Sequence, residues 1–265
     1  MALVKSRAIT LRTYKLGETS KVVVCYTRDF GKVRLVAKGA RRGGGRLGAA
    51  LEPMVVSGVV FYLRQGRDLS LVSQAEVERQ WPALRRDVVR MAYAGAVLEL
   101  TDALVSEQER DPGLFDLLES TLDRVAAVAL PSLDLALWGY EVALSTALGY
   151  GPSLARCVVC DSPVEGGASF SPGLGGSVCK RCVGKAPGAR ALSDAAAAVM
   201  SRLQQHDEGS GQGTATSVRD EVSDALLSFL GEHAGRQLKL RSLEFLAQVR
   251  RTGQYNVESE QDNDG

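Results

Sequence analysis

The first eighty residues alternate between apolar and polar positions, and this two-residue period is typical of half-buried β-strands. The clearest stretches predict strands over residues 7–14, 21–28, 32–38, 55–63 and 69–75. Short turn sequences separate them, such as Asp29-Phe30-Gly31 between the second and the third strand. Five short strands with no helix predicted among them favour a small closed barrel. The OB-fold is a five-stranded barrel of this kind that commonly binds single strands or oligosaccharides.

After Trp81 and Pro82 the spacing of apolar residues changes to about 3.6, which is typical of amphipathic helices. Helices are predicted over residues 82–110, 114–129, 132–148, 193–205, 217–230 and 238–249. The fold class is therefore α+β and multidomain. The predicted units are an OB-fold barrel at 1–80, a first helical part at 81–152, a four-cysteine zinc module at 153–190 before the C-terminal helices, a second helical part at 191–251 and a disordered acidic tail at 252–265.

Four of the five cysteines form two CxxC pairs, Cys157 with Cys160 and Cys179 with Cys182. Two such pairs in one short window have the spacing of a four-thiolate zinc site, which leaves no coordination position open for a substrate. We therefore predict one structural Zn²⁺ per chain, which orders a segment rich in glycine and proline. Two disulfides or a redox pair are the alternatives, but disulfides suit secreted chains and a redox motif explains only one CxxC.

The net charge of +1 conceals an uneven distribution. Residues 1–80 carry 15 Lys and Arg against 6 Asp and Glu, whereas residues 81–265 carry 17 against 25. In the third predicted strand the alternation places Lys32, Arg34 and Lys38 on one face, and an arginine-bearing loop follows. An ordinary solvated surface is one explanation, and a surface for the phosphates of a nucleic acid is the other.

We interpret the basic region as a DNA-binding surface. The first candidates for phosphate contact are Lys32, Arg34, Lys38, Arg41, Arg42 and Arg46. The second group is Lys5, Arg7, Arg12, Lys15 and Lys21. The candidates for base stacking are Tyr14, Tyr26, Phe30 and Tyr62, although an aromatic residue in a strand more often belongs to the core.

Catalytic machinery is poorly supported by the sequence. The only histidines are His206 and His233, and no Ser-His-Asp or Cys-His arrangement can be drawn. No GxxxxGK[ST] segment is present, and the GxGxxG pattern at Gly43, Gly45 and Gly48 lacks the βαβ unit of a dinucleotide site. We therefore predict a protein that is not an enzyme and has no nucleotide cofactor, with a metal-dependent DNA enzyme as a remote alternative.

Several stretches carry a resemblance to a known family. Residues 11–20 (LRTYKLGETS), 26–32 (YTRDFGK) and 36–42 (VAKGARR) resemble the opening of the bacterial RecO family, in particular its members from the Deinococcus group. The GYGP at 149–152 before the first CxxC resembles that family's entry to its zinc segment, and residues 239–246 (KLRSLEFL) resemble its last helix. The resemblance covers nearly the whole chain in order.

This resemblance implies a recombination mediator that works without ATP. Such proteins have an OB-fold, a helical domain and a zinc module, bind single- and double-stranded DNA, and anneal complementary strands. The implied partners are RecR, the C-terminal tail of the single-strand-binding protein SSB, and indirectly RecA. A scaffold that mainly recruits proteins is a second possibility. Without a membrane-spanning run, we expect a cytoplasmic, nucleoid-associated protein with no membrane partner.

Overall fold

The structure is a computed structural model that describes residues 2–41, 46–63, 69–164, 166–204 and 215–251. Two sequence-based predictions lie outside these ranges, namely the role of Arg42 and the disordered tail at 252–265. Within the described ranges, no helix combines the length and the apolar content needed to cross a membrane.

The N-terminal strands form a closed barrel in the order β1-β2-β3-β5-β4. The strands are β1 (Ala2–Leu16), β2 (Ser20–Thr27), β3 (Gly31–Ala37), β4 (Val55–Leu63) and β5 (Ser70–Gln80). All neighbours are antiparallel except β3 and β5, whose parallel pairing closes the barrel. The predicted five-stranded OB-type barrel is confirmed.

One expectation for the barrel was wrong. A short helix, α1 (Arg46–Ala50), lies between β3 and β4, where no helix was predicted. With five residues, it is too short to show an amphipathic period in the sequence. It is held to the start of β2, where the buried ammonium of Lys21 donates to the carbonyls of Gly48 in α1 and of Leu51 just after it, each at 3.1 Å.

The helices that follow are those predicted from the periodicity, except that the first predicted helix is divided into two. The helices are α2 (Pro82–Arg86), α3 (Val88–Leu104), α4 (Pro112–Ala127), α5 (Leu133–Ala147), α6 (Asp194–Gln204), α7 (Thr216–Ala234) and α8 (Arg241–Arg251). The single helix predicted over 82–110 is divided at Asp87, whose carboxylate caps α3 by accepting from the backbone N–H groups of Val89 and Arg90.

The barrel and the helices share one hydrophobic core. It includes Ile9, Leu11, Val24 and Tyr26 on the outer face of the barrel, and it continues through the helices to Trp138. A second apolar cluster fills the barrel interior. Because apolar side chains of β1 and β2 are buried on both faces of the sheet, this side of the barrel is covered by helices.

The cysteine segment folds as a small module between α5 and α6. Its three-stranded sheet has the order β7-β6-β8, with β6 at Ser169–Ser171, β7 at Gly176–Val178 and β8 at Arg190–Ala191. The side-chain carbonyl of Gln204 on α6 accepts from the backbone N–H groups of Leu154 and Ala155 at 2.5 and 2.8 Å. These bonds fix the entrance of the module to the helices.

Candidate metal centre and nucleic-acid interface

The four cysteines of the two CxxC pairs come together at one point of the module. The sulfur atoms of Cys157, Cys160, Cys179 and Cys182 all lie within 4.8 Å of one another. Those of Cys160 and Cys179 are 3.7 Å apart. Tetrahedral coordination with Zn–S bonds of about 2.3 Å requires a sulfur–sulfur separation of roughly 3.8 Å. The cluster therefore fits a tetrahedral metal ion bound by four thiolates.

The first CxxC turn has the backbone of a metal-binding turn without its usual glycine. Asp161 takes a φ of 56°, the left-handed conformation that glycine adopts most readily. Its backbone N–H donates to the carbonyl of Cys157 at 2.8 Å, and its carboxylate accepts two bonds from Arg156 at 2.7 and 2.8 Å. An aspartate can therefore occupy this position, because its side chain and backbone are both held in place.

The surroundings of Cys157 and Cys160 lower the pKa of both thiols, whereas hydrogen bonding to Cys160 and desolvation raise the pKa of Cys182. Hydrogen bonds from the hydroxyl and the backbone N–H of Ser162 lower the pKa of Cys160 to about 6. The backbone N–H of Cys179 points at the Cys157 sulfur at 3.4 Å. Thiolate is the form that binds a metal ion, and four such ligands complete the coordination sphere. A metal here would therefore stabilise the module and would not contact a substrate.

Lys38 stays exposed beyond the end of β3, but the rest of the row of cations predicted on this strand does not form an open surface. The barrel face that carries it is docked against the helical part, and its basic side chains pair with carboxylates of the same chain. The pairs are Arg7 with Glu78 and Glu119, Arg12 and Lys32 with Asp102, Arg28 with Asp116, Arg34 with Glu107, and Arg79 with Glu119 and Asp123. We call this set the docked face.

Lys32 is the least accessible of these cations. Its side chain is only 10% exposed, and its ammonium donates to the backbone carbonyl of Asp102 at 2.8 Å. The carboxylate of Asp102 lies 3.8 Å from the ammonium and binds Arg12 at 2.7 Å. Desolvation by burial lowers the pKa of Lys32, although Asp102 and Glu107 oppose this shift. Lys21 is likewise buried, and it pairs with Glu52 at 2.9 Å.

A second group of the predicted cations remains open to solvent, at the end of the barrel near the β1–β2 turn. Lys15 on β1 lies opposite Lys21 on β2, and Lys21 lies opposite Ala37, the last residue of β3. Lys38 comes directly after Ala37. The exposed Arg41 donates through Nη1 to the carbonyl of Gly17 in that turn at 2.8 Å. Among the described residues, none of Lys15, Lys38 and Arg41 pairs with a carboxylate. We call these three residues the rim.

Two further candidates lie elsewhere. Lys5 is exposed on β1, but it precedes Lys15 by ten positions, about 33 Å along an extended strand. Arg46 begins α1. The structure therefore brings three of the eleven predicted cations together at the rim and engages five others with carboxylates.

The four aromatic candidates for stacking differ in access. Tyr26 is fully buried, and its hydroxyl donates to the carbonyls of Glu109 and Asp111 at 3.3 and 3.1 Å, so it belongs to the core. Phe30 packs edge to face on Phe61 with ring centroids 5.7 Å apart. Tyr62 is partly buried, whereas Tyr14 is 46% exposed. Tyr14 is therefore the best placed of the four to receive a base.

The carboxylates that dock on the barrel were missed in the sequence. Asp102 lies on α3, Glu107 lies in the loop after it, and Asp116, Glu119 and Asp123 lie on α4. The acidic excess of residues 81–265 was the available signal. Opposite charges on two parts of one chain can neutralise each other across an internal interface, as they do here.

Together these features define a protein with an OB-type barrel, a helical part and a four-thiolate module. Two family models match it: Recombination protein O N terminal over residues 1–81, and Recombination protein O C terminal over residues 85–242. The chain therefore belongs to the Recombination protein O family, and the resemblance read from the sequence is confirmed.

Curated relatives agree with this assignment over nearly their whole length. A DNA repair protein RecO of Symbiobacterium thermophilum is 37% identical over 255 residues, which cover 94% of this chain and 99% of the relative. One of Anaeromyxobacter dehalogenans is 35% identical over 244 residues, covering 91% and 95%. One of Desulforudis audaxviator is 33% identical over 247 residues, covering 92% and 96%.

Proposed function

We propose that this chain is a non-catalytic mediator of recombinational DNA repair. It binds single- and double-stranded DNA, anneals complementary strands without ATP and, with RecR, helps to load RecA on DNA coated by SSB. The observation that carries the proposal is the match of both family models, which together extend over residues 1–242 with a gap of three residues.

The rim supplies the physical basis for DNA binding. Two complementary strands repel each other, and a protein that neutralises their phosphates releases counterions and lowers that repulsion. Lys15, Lys38 and Arg41 are exposed and have no carboxylate partner in the described part of the chain, so they are free to bind phosphate. Lys15 leads into the turn between the first two strands, one of the loops with which OB-folds bind oligonucleotides, and Arg41 contacts that turn through the carbonyl of Gly17.

The metal of the cysteine module is zinc in this proposal. Four sulfur ligands and a near-tetrahedral separation suit Zn²⁺, and the closed coordination sphere assigns it a structural role. When bound, the ion links the two CxxC turns. The partly exposed Cys160 leaves one edge of the cluster at the surface of the module.

The partners and the location follow from the same proposal. We infer that the chain acts in the cytoplasm on the nucleoid, where it contacts RecR and the acidic tail of SSB. The internal ion pairs support a scaffold role with weak DNA binding as the second candidate, because they engage five of the predicted cations, four on the docked face and Lys21 beside α1. The experiment below separates the two roles.

The test is annealing of complementary labelled strands by the purified chain, with and without nucleotide, across a salt series. The proposal expects annealing that is independent of ATP, falls steeply with salt and is lost in the variant K15Q/K38Q/R41Q. Absence of annealing and of DNA binding at low salt, with retained binding of an SSB tail peptide, would establish the scaffold. Divalent-ion-dependent cleavage of a strand would instead point to an enzyme.

A further inference from the structure

A cleft of about 820 Å³ separates the barrel from the C-terminal helices. Strand β1 forms one wall with Arg12 and Tyr14. The start of α8 and the connector that joins α7 to α8 form the other wall. Leu11, Met54 and Leu98 line its apolar part. The cleft lies beside the docked face, but its outer wall takes no part in the pairing described there.

The outer wall carries three cations within six residues, Arg236, Lys239 and Arg241. All three are exposed, and none forms an ion pair with a carboxylate within the described ranges. Two carboxylates of the cleft already have partners. Glu99 accepts from the backbone N–H and the hydroxyl of Ser242 at 3.2 and 2.7 Å, and Asp102 binds Arg12. The Ser242 groups are neutral and do not offset the carboxylate of Glu99, so the four cations that line the cleft face three carboxylates, Glu99, Asp102 and Glu244, and leave an excess of one positive charge.

Tyr14 connects this wall to the rim. It is 46% exposed, and the guanidinium of Arg12 lies 4.8 Å from the centroid of its ring. Lys15, the first residue of the rim, follows it directly on β1. A chain of phosphates that binds at the rim can thus continue past Tyr14 to the three cations of the outer wall.

We propose that a single strand of DNA passes through this cleft, with phosphates on Arg236, Lys239 and Arg241 and a base stacked on Tyr14. This inference rests on the proposed function and extends the binding surface from the barrel to the C-terminal helices. The volume is that of a small-molecule pocket, so it admits a few nucleotides of one strand. A duplex does not fit this arrangement, because its bases are already stacked on each other. An exposed aromatic between two groups of cations is the combination that binds single strands.

The first experiment measures the affinity of the full chain for a labelled oligonucleotide between low and moderate salt. In R236Q/K239Q/R241Q, loss of three phosphate contacts lowers the slope of log K against log salt by about 2 and weakens single-strand binding about 100-fold at 0.1 M. The matched control R85Q/R86Q/R202Q removes three exposed cations outside the cleft and leaves both quantities unchanged. Thermal unfolding of each variant verifies that it is folded.

A second variant tests the stacking partner. Tyr14→Leu keeps an apolar side chain but removes the ring, and it weakens single-strand binding about tenfold with little effect on duplex binding. An equal loss for both substrates would contradict stacking at Tyr14.

Two outcomes overturn the inference without touching the proposed function. In the first, R236Q/K239Q/R241Q binds DNA like its control, whereas K15Q/K38Q/R41Q loses binding. DNA is then bound at the rim but does not enter the cleft. In the second, R236Q/K239Q/R241Q keeps its DNA affinity but no longer binds a labelled acidic peptide with an apolar end. The cleft is then a peptide site. If the wild-type chain itself does not bind DNA, the proposed function is contradicted.

Discussion

Glu119 lies between two arginines of the barrel, and its removal gives the sharpest test of the docked face. Its carboxylate is 13% exposed and accepts two bonds from Arg7, at 2.9 and 2.8 Å, and one from Arg79 at 3.4 Å. Hydrogen bonds to charged groups contribute about 1.5 to 3 kcal/mol. Arg7 is one third exposed, so solvent screening favours the lower end of this range. We expect Glu119→Gln to lower the free energy of unfolding by about 2 kcal/mol.

The assay is urea unfolding of a double-mutant cycle that combines Glu119→Gln with Arg7→Gln. The expected coupling energy is about 1.5 kcal/mol, and the single variant at Glu119 should melt roughly 5 °C below the wild-type chain. Urea is preferred to guanidinium chloride, because a salt screens the pair under study. A coupling below about 0.3 kcal/mol would show that the contact does not hold the helices on the barrel.

The pH dependence of the same variant has a definite sign. Desolvation raises the pKa of Glu119, but the hydrogen bonds and charges of Arg7 and Arg79 outweigh it, so the net shift is downward. A carboxylate with a lowered folded-state pKa stabilises the fold above its unfolded value of about 4.3, and this contribution is lost as pH falls through the folded value. The advantage of the wild-type chain over Glu119→Gln, measured as the difference between their free energies of unfolding, should therefore be constant from pH 7 to about 5 and narrow below about 4. An undiminished advantage in strong acid would contradict the ion pair.

Three further predictions concern other parts of the fold. Asp102→Asn removes the carboxylate that pairs with the buried Lys32 and should cost about 3 kcal/mol, whereas Asp116→Asn at an exposed pair should cost at most about 0.5 kcal/mol in the same urea assay. Gly31→Ala adds a Cβ that collides with the backbone of Glu109 at a φ of 64°, and it should cost at least ~2 kcal/mol; Gly17→Ala, with a φ of 62° and open space, should cost about 1 kcal/mol. Metal analysis should find one zinc per chain, lost in Cys182→Ser and kept in Cys25→Ala, whose thiol lies in the barrel core.

The metal centre and the barrel could be predicted because their signals are local. Each CxxC fixes two sulfurs in one turn, and each strand displays its period within a few residues. The bounds of β4 at Val55–Leu63 are those predicted from the alternation. The break at Asp87 was missed because the apolar spacing continues across it, whereas the cap depends on a single carboxylate.

The charges could not be placed from the sequence, because their partners are distant along the chain. Lys32 and Asp102 are seventy positions apart, and Arg7 and Glu119 are separated by 112. The two-residue alternation along β3 correctly placed Lys32 on the outer face of the barrel, but it does not reveal that a helix covers that face. Only the packing of α3 and α4 on the barrel distinguishes a cation that binds DNA from one that holds the fold together.

The cations of the barrel thus divide into a rim that we propose to bind DNA and a docked face that stabilises the fold. The most direct measurement compares the salt dependence of single-strand binding for two double variants with equal loss of charge, K15Q/K38Q at the rim and R28Q/R34Q on the docked face. We expect a slope lower by about 1.4 for the rim variant, because two phosphate contacts are lost, and an unchanged slope for the docked-face variant. An unchanged slope at the rim together with a reduced slope for R28Q/R34Q would contradict this division.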